Sequence, residues 1–460
     1  MIPSPLSWLK LINILLVAFE FPPLNRGGVY RVLRFVKYLK QFGINPIVIT
    51  LDRQSYPSVY ENCHIDETLL AELPPGLNLA EVPSGNVRHL LSGKLASFLN
   101  VYFRITEVTT ARWSRFFFPK VNELVKQFKP ACMFATVPPF GIAPLSVKTS
   151  KIFNLPLILD LRDAWSQWVN RPYGSWLHYH LTLKLERKCL NCASAVVTTS
   201  NQTTEDLKKL HPSVNAKKFH LITNGYDEEI DNWDISSTNH DPFTIGYVGS
   251  FYYNPHAREQ MFTSWWKKGL HRQLQYIPRK EDWLYRTPCF FFRAVKYLFD
   301  RHPDFKSRLS IKFAGNKPEW LDEMVHEFKL QNHFQHLGLL SYGDSVKFQK
   351  SCDALLVTSS KVIHGEDYSI AGKTFEYIGM RKPIIGFVTE GAQKRLLEKT
   401  GMSVVCNPDH LEESCEKLKG LIEGKTQFSP DVDFLTGLSC RSNTEKLAGL
   451  IKNVCGNSGI

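Results

Sequence analysis

Residues 365–387 read GEDYSIAGKTFEYIGMRKPIIGF and follow a short apolar run, ALLVTSS, at 354–360. The run reads as a strand, and Ser369, Ala371 and Gly372 as the small residues of a loop. KTFEYIGM (373–380) reads as the helix that the loop opens, and PIIGFV (383–388) as the returning strand. Small residues at the start of a helix let a phosphate oxygen approach backbone N–H groups at the positive end of the helix dipole. Lys373 adds a mobile cation there. Glu376 stands three residues on, on roughly the same face, and can accept hydrogen bonds from a ribose diol. The same residue types also describe a helix opened by small residues with a solvated Lys/Glu pair, and this stretch alone does not choose.

Working outward, the unit repeats. In the first half, INILLVAF (12–19), PIVITLD (46–52), ACMFATV (131–137), LPLILDLRDAW (155–165) and SAVVTTS (194–200) read as strands. Helical stretches such as RVLRFVKYLKQFG (31–43) separate them. A second series holds FTIGYVGS (243–250), LSIKFAGN (309–316), ALLVTSS and PIIGFV. Unbroken Ile, Leu and Val is what a parallel sheet buried on both faces requires. The join, DEEIDNWDISSTNHD (227–241), is polar and acidic, as an interdomain linker would be. The expectation is an α/β protein of two Rossmann-like doubly wound domains facing a central cleft. The boundaries are 1–235 and 236–440, with a helix at 441–460 packing back on the first domain. An aromatic, basic insertion at 253–293 interrupts the second series.

The 460 residues exceed one core's usual size, and 43% hydrophobic with 22% charged residues describes an ordinary globular chain. The net charge of +12 suggests an anionic partner, yet no basic arm appears, so nucleic acid is not expected. The apolar run Leu11–Phe19 is too short to span a bilayer and reads as a strand, which points to a cytoplasmic protein. Ten cysteines, with one C-x-x-C at Cys189 and Cys192, read as buried thiols in a reducing compartment. Residues 85–118 combine Arg, Lys and aromatics. They fit either a packed helix or peripheral contact with anionic headgroups on the inner face of the membrane.

The block at 365–387 resembles the donor-site signature of GT-B glycosyltransferases of family 4. Glycine pairs and strand ends elsewhere are similar to the same family: NRGGVY around Gly27 and Gly28, VGSF with Gly249 and Ser250, LPLILDLRDAW, and ITNGYD at 222–227. The resemblance implies a donor-binding Glu376, with a diphosphate on Ser369, Ala371, Gly372, Gly27, Gly28, Gly249 and Ser250. Lys373 and Arg258 supply the cations that stabilise the leaving group, and Asp160, Arg162, Asp163 and Trp165 shape the acceptor side. An Arg beside two Asp residues also reads as a structural ion-pair cluster. The family often carries a second Glu eight positions before Glu376, where this chain has Tyr368. The usual Arg/Lys run after the VGSF turn is replaced by YYNPHARE.

The implied activity is transfer of a sugar, hexosyl-like, from a nucleotide-sugar co-substrate to a glycan or lipid-linked acceptor. It implies retention of configuration, no cofactor and no metal, in cell-envelope or exopolysaccharide synthesis. A nucleotide-sugar epimerase or a non-catalytic nucleotide-sugar-binding scaffold are the alternatives. No G-x-G-x-x-G follows the first strand, which argues against a dehydrogenase.

Overall fold

A computed structural model describes residues 11–60, 63–85, 106–167, 172–227, 230, 232–235, 241–269 and 272–456. Its strands are β1 (Ile12–Ala18), β2 (Ile44–Leu51), β3 (Asn78–Val82), β4 (Cys132–Val137), β5 (Leu157–Leu161), β6 (Ala195–Thr198) and β7 (Phe219–Leu221) in the first half. The second half has β8 (Phe243–Val248), β9 (Glu281–Asp282), β10 (Leu309–Ala314), β11 (Phe334–His336), β12 (Ala354–Thr358), β13 (Lys361–Val362), β14 (Ile384–Phe387) and β15 (Ser403–Cys406). The first sheet runs β3-β2-β1-β4-β5-β6-β7 and the second β11-β10-β8-β12-β14-β15. Every pairing in both is parallel. Both are doubly wound: strand order reverses once, between β1 and β4 and between β8 and β12, and ligands bind such folds at that reversal.

The two-residue alternation of a strand accounts for the two cores of each sheet. Along β1, Leu15 and Val17 enter one cluster while Ile14, Leu16 and Ala18 enter another. Along β12, Ala354 and Leu356 face one cluster, Leu355 and Val357 the other. Gly246 in β8 is required by packing, because a Cβ there would lie 2.4 Å from the Cys352 sulfur.

The chain divides into two compact units: Met1–Thr223 with Ser264–Pro278 and Cys440–Ile460, and Asn224–Thr263 with Arg279–Ser439. The last helix, Cys440–Gly456, buries Leu447 and Ile451 in the cluster that holds Val32 and Val36 of the helix Gly27–Leu39. Of the basic aromatic stretch at 85–118, residues 86–105 lie outside the described residues. The remainder opens the helix Val108–Phe128, where Trp113 and Phe117 are fully buried. The insertion forms a helix, Pro255–Phe262, and then β9, which pairs antiparallel with β13 just ahead of the 365–372 loop.

Candidate functional site

In the second unit the loop after β12 opens the helix Gly372–Gly379, whose N-cap, Ala371, contributes no side-chain cap. Gln393 Oε1 accepts from the Ala371 N–H (2.9 Å) and from the Thr374 hydroxyl (3.2 Å), fixing the loop. The first N–H groups of a helix have no partner within it, so those of Gly372 and Lys373 are where an anion would be received. Lys373 reaches back over the strand reversal: its Nζ sits 3.6 Å from the ring centroid of Tyr247, near the end of β8. Gly249, with φ +125°, makes that approach possible, since a Cβ there would lie 2.8 Å from Lys373 Nζ. The neighbouring turn is as tight: a Cβ on Gly315 (φ +131°) would lie 2.2 Å from the Gly249 carbonyl oxygen. Ser250 accepts from Asn316 Nδ2 at 3.3 Å.

Burial pushes the Lys373 ammonium down to about 7; Glu376, one turn on, opposes the shift and Arg286 adds to it. A desolvated ammonium held beside a second cation is a site whose electrostatics improve when an anion arrives.

Arg286 is the residue the sequence reading missed. It lies in the insertion, its Nη2 donates to Ser369 Oγ, and its carbonyl accepts from Thr358 Oγ1 at the end of β12 (2.7 Å). Ser369 in turn donates to the buried Asp367 carboxylate, through its hydroxyl at 3.0 Å and its N–H at 3.2 Å. Arg258, assigned a leaving-group role from sequence, is committed elsewhere: Nε and Nη2 grip both oxygens of Asp282 in β9 at 2.6 and 2.7 Å. That pair ties the insertion's helix to its strand, and the structure does not bring Arg258 into the Lys373 group.

Tyr368, which stands where the family often has a second Glu, is buried beneath the Arg279 guanidinium, 4.1 Å from its ring centroid. Arg279 also meets Glu281 at 3.3 Å, and Trp283 Nε1 donates to the same carboxylate at 3.2 Å. Burial pushes Glu281 up to about 7, with Arg279 and Arg286 pulling the other way.

In the first unit the four residues that the resemblance assigns to the acceptor side lie at or just beyond the end of β5 but differ in exposure. Asp160 is fully buried: Arg31 holds both of its oxygens (2.8 and 3.1 Å) and Thr136 donates at 2.8 Å. Arg31 also donates to the carbonyls of Thr223 (2.9 Å) and Ile222 (2.8 Å). Asp160 therefore fixes the end of β5 from within. Trp165 is buried and stacked on Phe140 with centroids 5.4 Å apart. Arg162 and Asp163 are partly exposed. The Arg162 guanidinium donates to the Val137 (3.3 Å) and Pro138 carbonyls and lies 3.6 Å from Glu20. Gly28 makes room for it, because a Cβ would fall 1.4 Å from Arg162 Nη1, whereas one on Gly27 would meet nothing. Cys189 and Cys192 are free thiols, and burial pushes Cys189 up to about 12, which leaves it inert.

Residues 25–230 match the model of Glycosyltransferase Family 4, so the resemblance read from the motifs is borne out over that span. No curated protein matches the chain. Among solved structures, HepE of Anabaena in complex with UDP and glucose aligns over 97% of this chain and 98% of its own, at 13% identity and a TM-score of 0.54. The lipopolysaccharide outer core galactosyltransferase WaaB aligns over 98% and 100%, at 13% identity and a TM-score of 0.55. The α,α-trehalose 6-phosphate synthase of Burkholderia multivorans aligns over 98% and 100%, at 9% identity and a TM-score of 0.60. At these identities the likeness is one of fold: two Rossmann-like units of the GT-B type.

Proposed function

We propose that the chain is a glycosyltransferase that holds a nucleoside diphosphate sugar on its second unit and passes the sugar to a glycan or lipid-linked acceptor bound by the first. The observation that carries this is the convergence of the desolvated Lys373 ammonium, Arg286 and the start of the helix Gly372–Gly379 on one strand-end loop. Charge developing on a departing diphosphate would meet Arg286, Lys373 and oriented N–H groups that the loop holds in position. In this reading side chains, rather than a metal, meet the phosphate charge. Glu376, on the same helix as Lys373, would accept from the ribose hydroxyls, as the family likeness implies.

Retention of configuration and a place in cell-envelope glycan synthesis follow the family likeness. A binder without catalysis is the second reading, favoured by Tyr368, whose buried ring leaves no carboxylate at that position. Slow hydrolysis of UDP-, GDP-, ADP- and CMP-sugars separates the two. One donor consumed by the wild type and spared by Lys373→Ala supports the enzyme. A donor that stabilises the fold without being consumed, whether or not acceptor glycans are added, would support the binder.

A further inference from the structure

The helix Trp176–Cys192 carries an unusual outer face. Its N-terminal turns leave Trp176 57%, Leu177 58% and Leu181 40% exposed, although apolar residues at helical spacing ordinarily face a core. Beside it runs the insertion segment Ser264–Pro278, which belongs to the same compact unit. Two backbone hydrogen bonds between Tyr173 and Tyr276 (2.9 and 3.0 Å), and the Tyr179–Tyr276 ring contact (5.1 Å), hold the two elements side by side. That segment exposes Trp265 (62%), Trp266 (63%) and Leu274 (70%).

The exposed charges within these two stretches have one sign. Along the helix, Lys184, Arg187 and Lys188 are exposed. Leu177, Leu181, Lys184 and Lys188 follow one another at the three- and four-residue spacing of a single face. Residues 264–278, the part of the insertion in this unit, contain Lys267, Lys268 and Arg272 and no Asp or Glu. The single acidic residue between 172 and 192 is Glu186, and it is fully buried against His211 and Ser166. No described helix is long and apolar enough to cross a membrane.

Exposed Trp and Leu on two adjoining stretches whose exposed charges are all Lys and Arg is the composition of a surface that lies on anionic headgroups, indole rings at the polar boundary and cations on the phosphates. We infer that this face docks the protein on an anionic lipid surface. The surface is built from residues 176–188 and 264–278 and is independent of any nucleotide.

The test is co-sedimentation of the full chain with phosphatidylcholine vesicles, with and without phosphatidylglycerol, at low and high salt. Binding is expected only with phosphatidylglycerol, weakening with salt. The triple variant Trp176→Ser/Trp265→Ser/Trp266→Ser should lose at least about tenfold in partitioning at unchanged Tm. Lys184→Gln/Lys188→Gln/Lys267→Gln provides a second probe that alters no apolar contact, and it should lose about as much. No binding to either vesicle, or binding that neither variant weakens, overturns the proposal. A dimer in solution that the Trp variant dissociates, with no vesicle binding, also overturns it by making a second copy the occupant.

Discussion

Lys373 has a titration that falls inside the working range of pH, and two predictions follow from it. Its folded value lies near 7 against an ordinary 10.5, so between those limits the unfolded chain binds more protons than the folded one. Its contribution to stability is therefore present above pH 10.5 and is lost as pH falls through 7. The ligand-free Tm should rise over that interval, and Lys373→Met should flatten the rise; an unchanged slope in the variant would contradict the assignment. A bound diphosphate restores the charged form, so binding should take up a proton. At pH 8 the heat of binding should then depend on the buffer's ionisation enthalpy, and affinity should fall from pH 7 to 9 by up to about tenfold per unit. Affinity that is flat over that range would deny Lys373 a place on the phosphates. For turnover, Lys373→Ala is expected to lower kcat/KM by about 10²–10³, the usual loss on removing one donor to developing charge.

The strap formed by the insertion and the loop after β12 separates two arginines that the sequence alone could not rank. Arg258 locks the strap through Asp282, and Arg286 reaches Ser369. Arg258→Ala should lower Tm by an amount matching about 1 kcal/mol, with little change in nucleotide affinity, the ion pair being partly exposed. Arg286→Ala should do the reverse. Calorimetric titration beside a melting curve for each variant checks the pair, and equal losses of affinity would put Arg258 on the ligand after all. The loop was legible in the sequence because its small residues, Lys373 and Glu376 are contiguous. Arg286 was not, because it contacts Ser369 from 83 residues away. The Arg31–Asp160 pair, 129 residues apart, was hidden for the same reason. Strands with unbroken apolar runs, such as β1 and β4, announced themselves. β3, β7 and β11 did not, since NLAEV, FHL and FQH are short and carry polar residues that a central buried strand would exclude.

At the scale of the whole molecule, each unit is a doubly wound sheet with one strand reversal, and close pairs lie at strand ends in each: Gly28 with Arg162 in one, Gly249 with Lys373 in the other. The first unit is completed only by the chain's last helix, whose Leu447 and Ile451 are fully buried in the core shared with β1. Each such side chain contributes about 1.5–3 kcal/mol, so a chain ending at Ser439 should lose more than about 5 kcal/mol across the helix's buried positions. That truncated chain is expected to aggregate or melt far below the full chain; a Tm within a few degrees of wild type would contradict the packing. The central claim is that the second unit binds a nucleoside diphosphate through Lys373 and Arg286. It is tested most directly by calorimetric titration of UDP, GDP and ADP into the wild type, Lys373→Ala and Arg286→Ala. Saturable binding of one nucleotide, weakened at least about tenfold in both variants whose melting curves stay intact, is the predicted result. Binding that neither substitution disturbs, or no binding by any nucleotide, would contradict it.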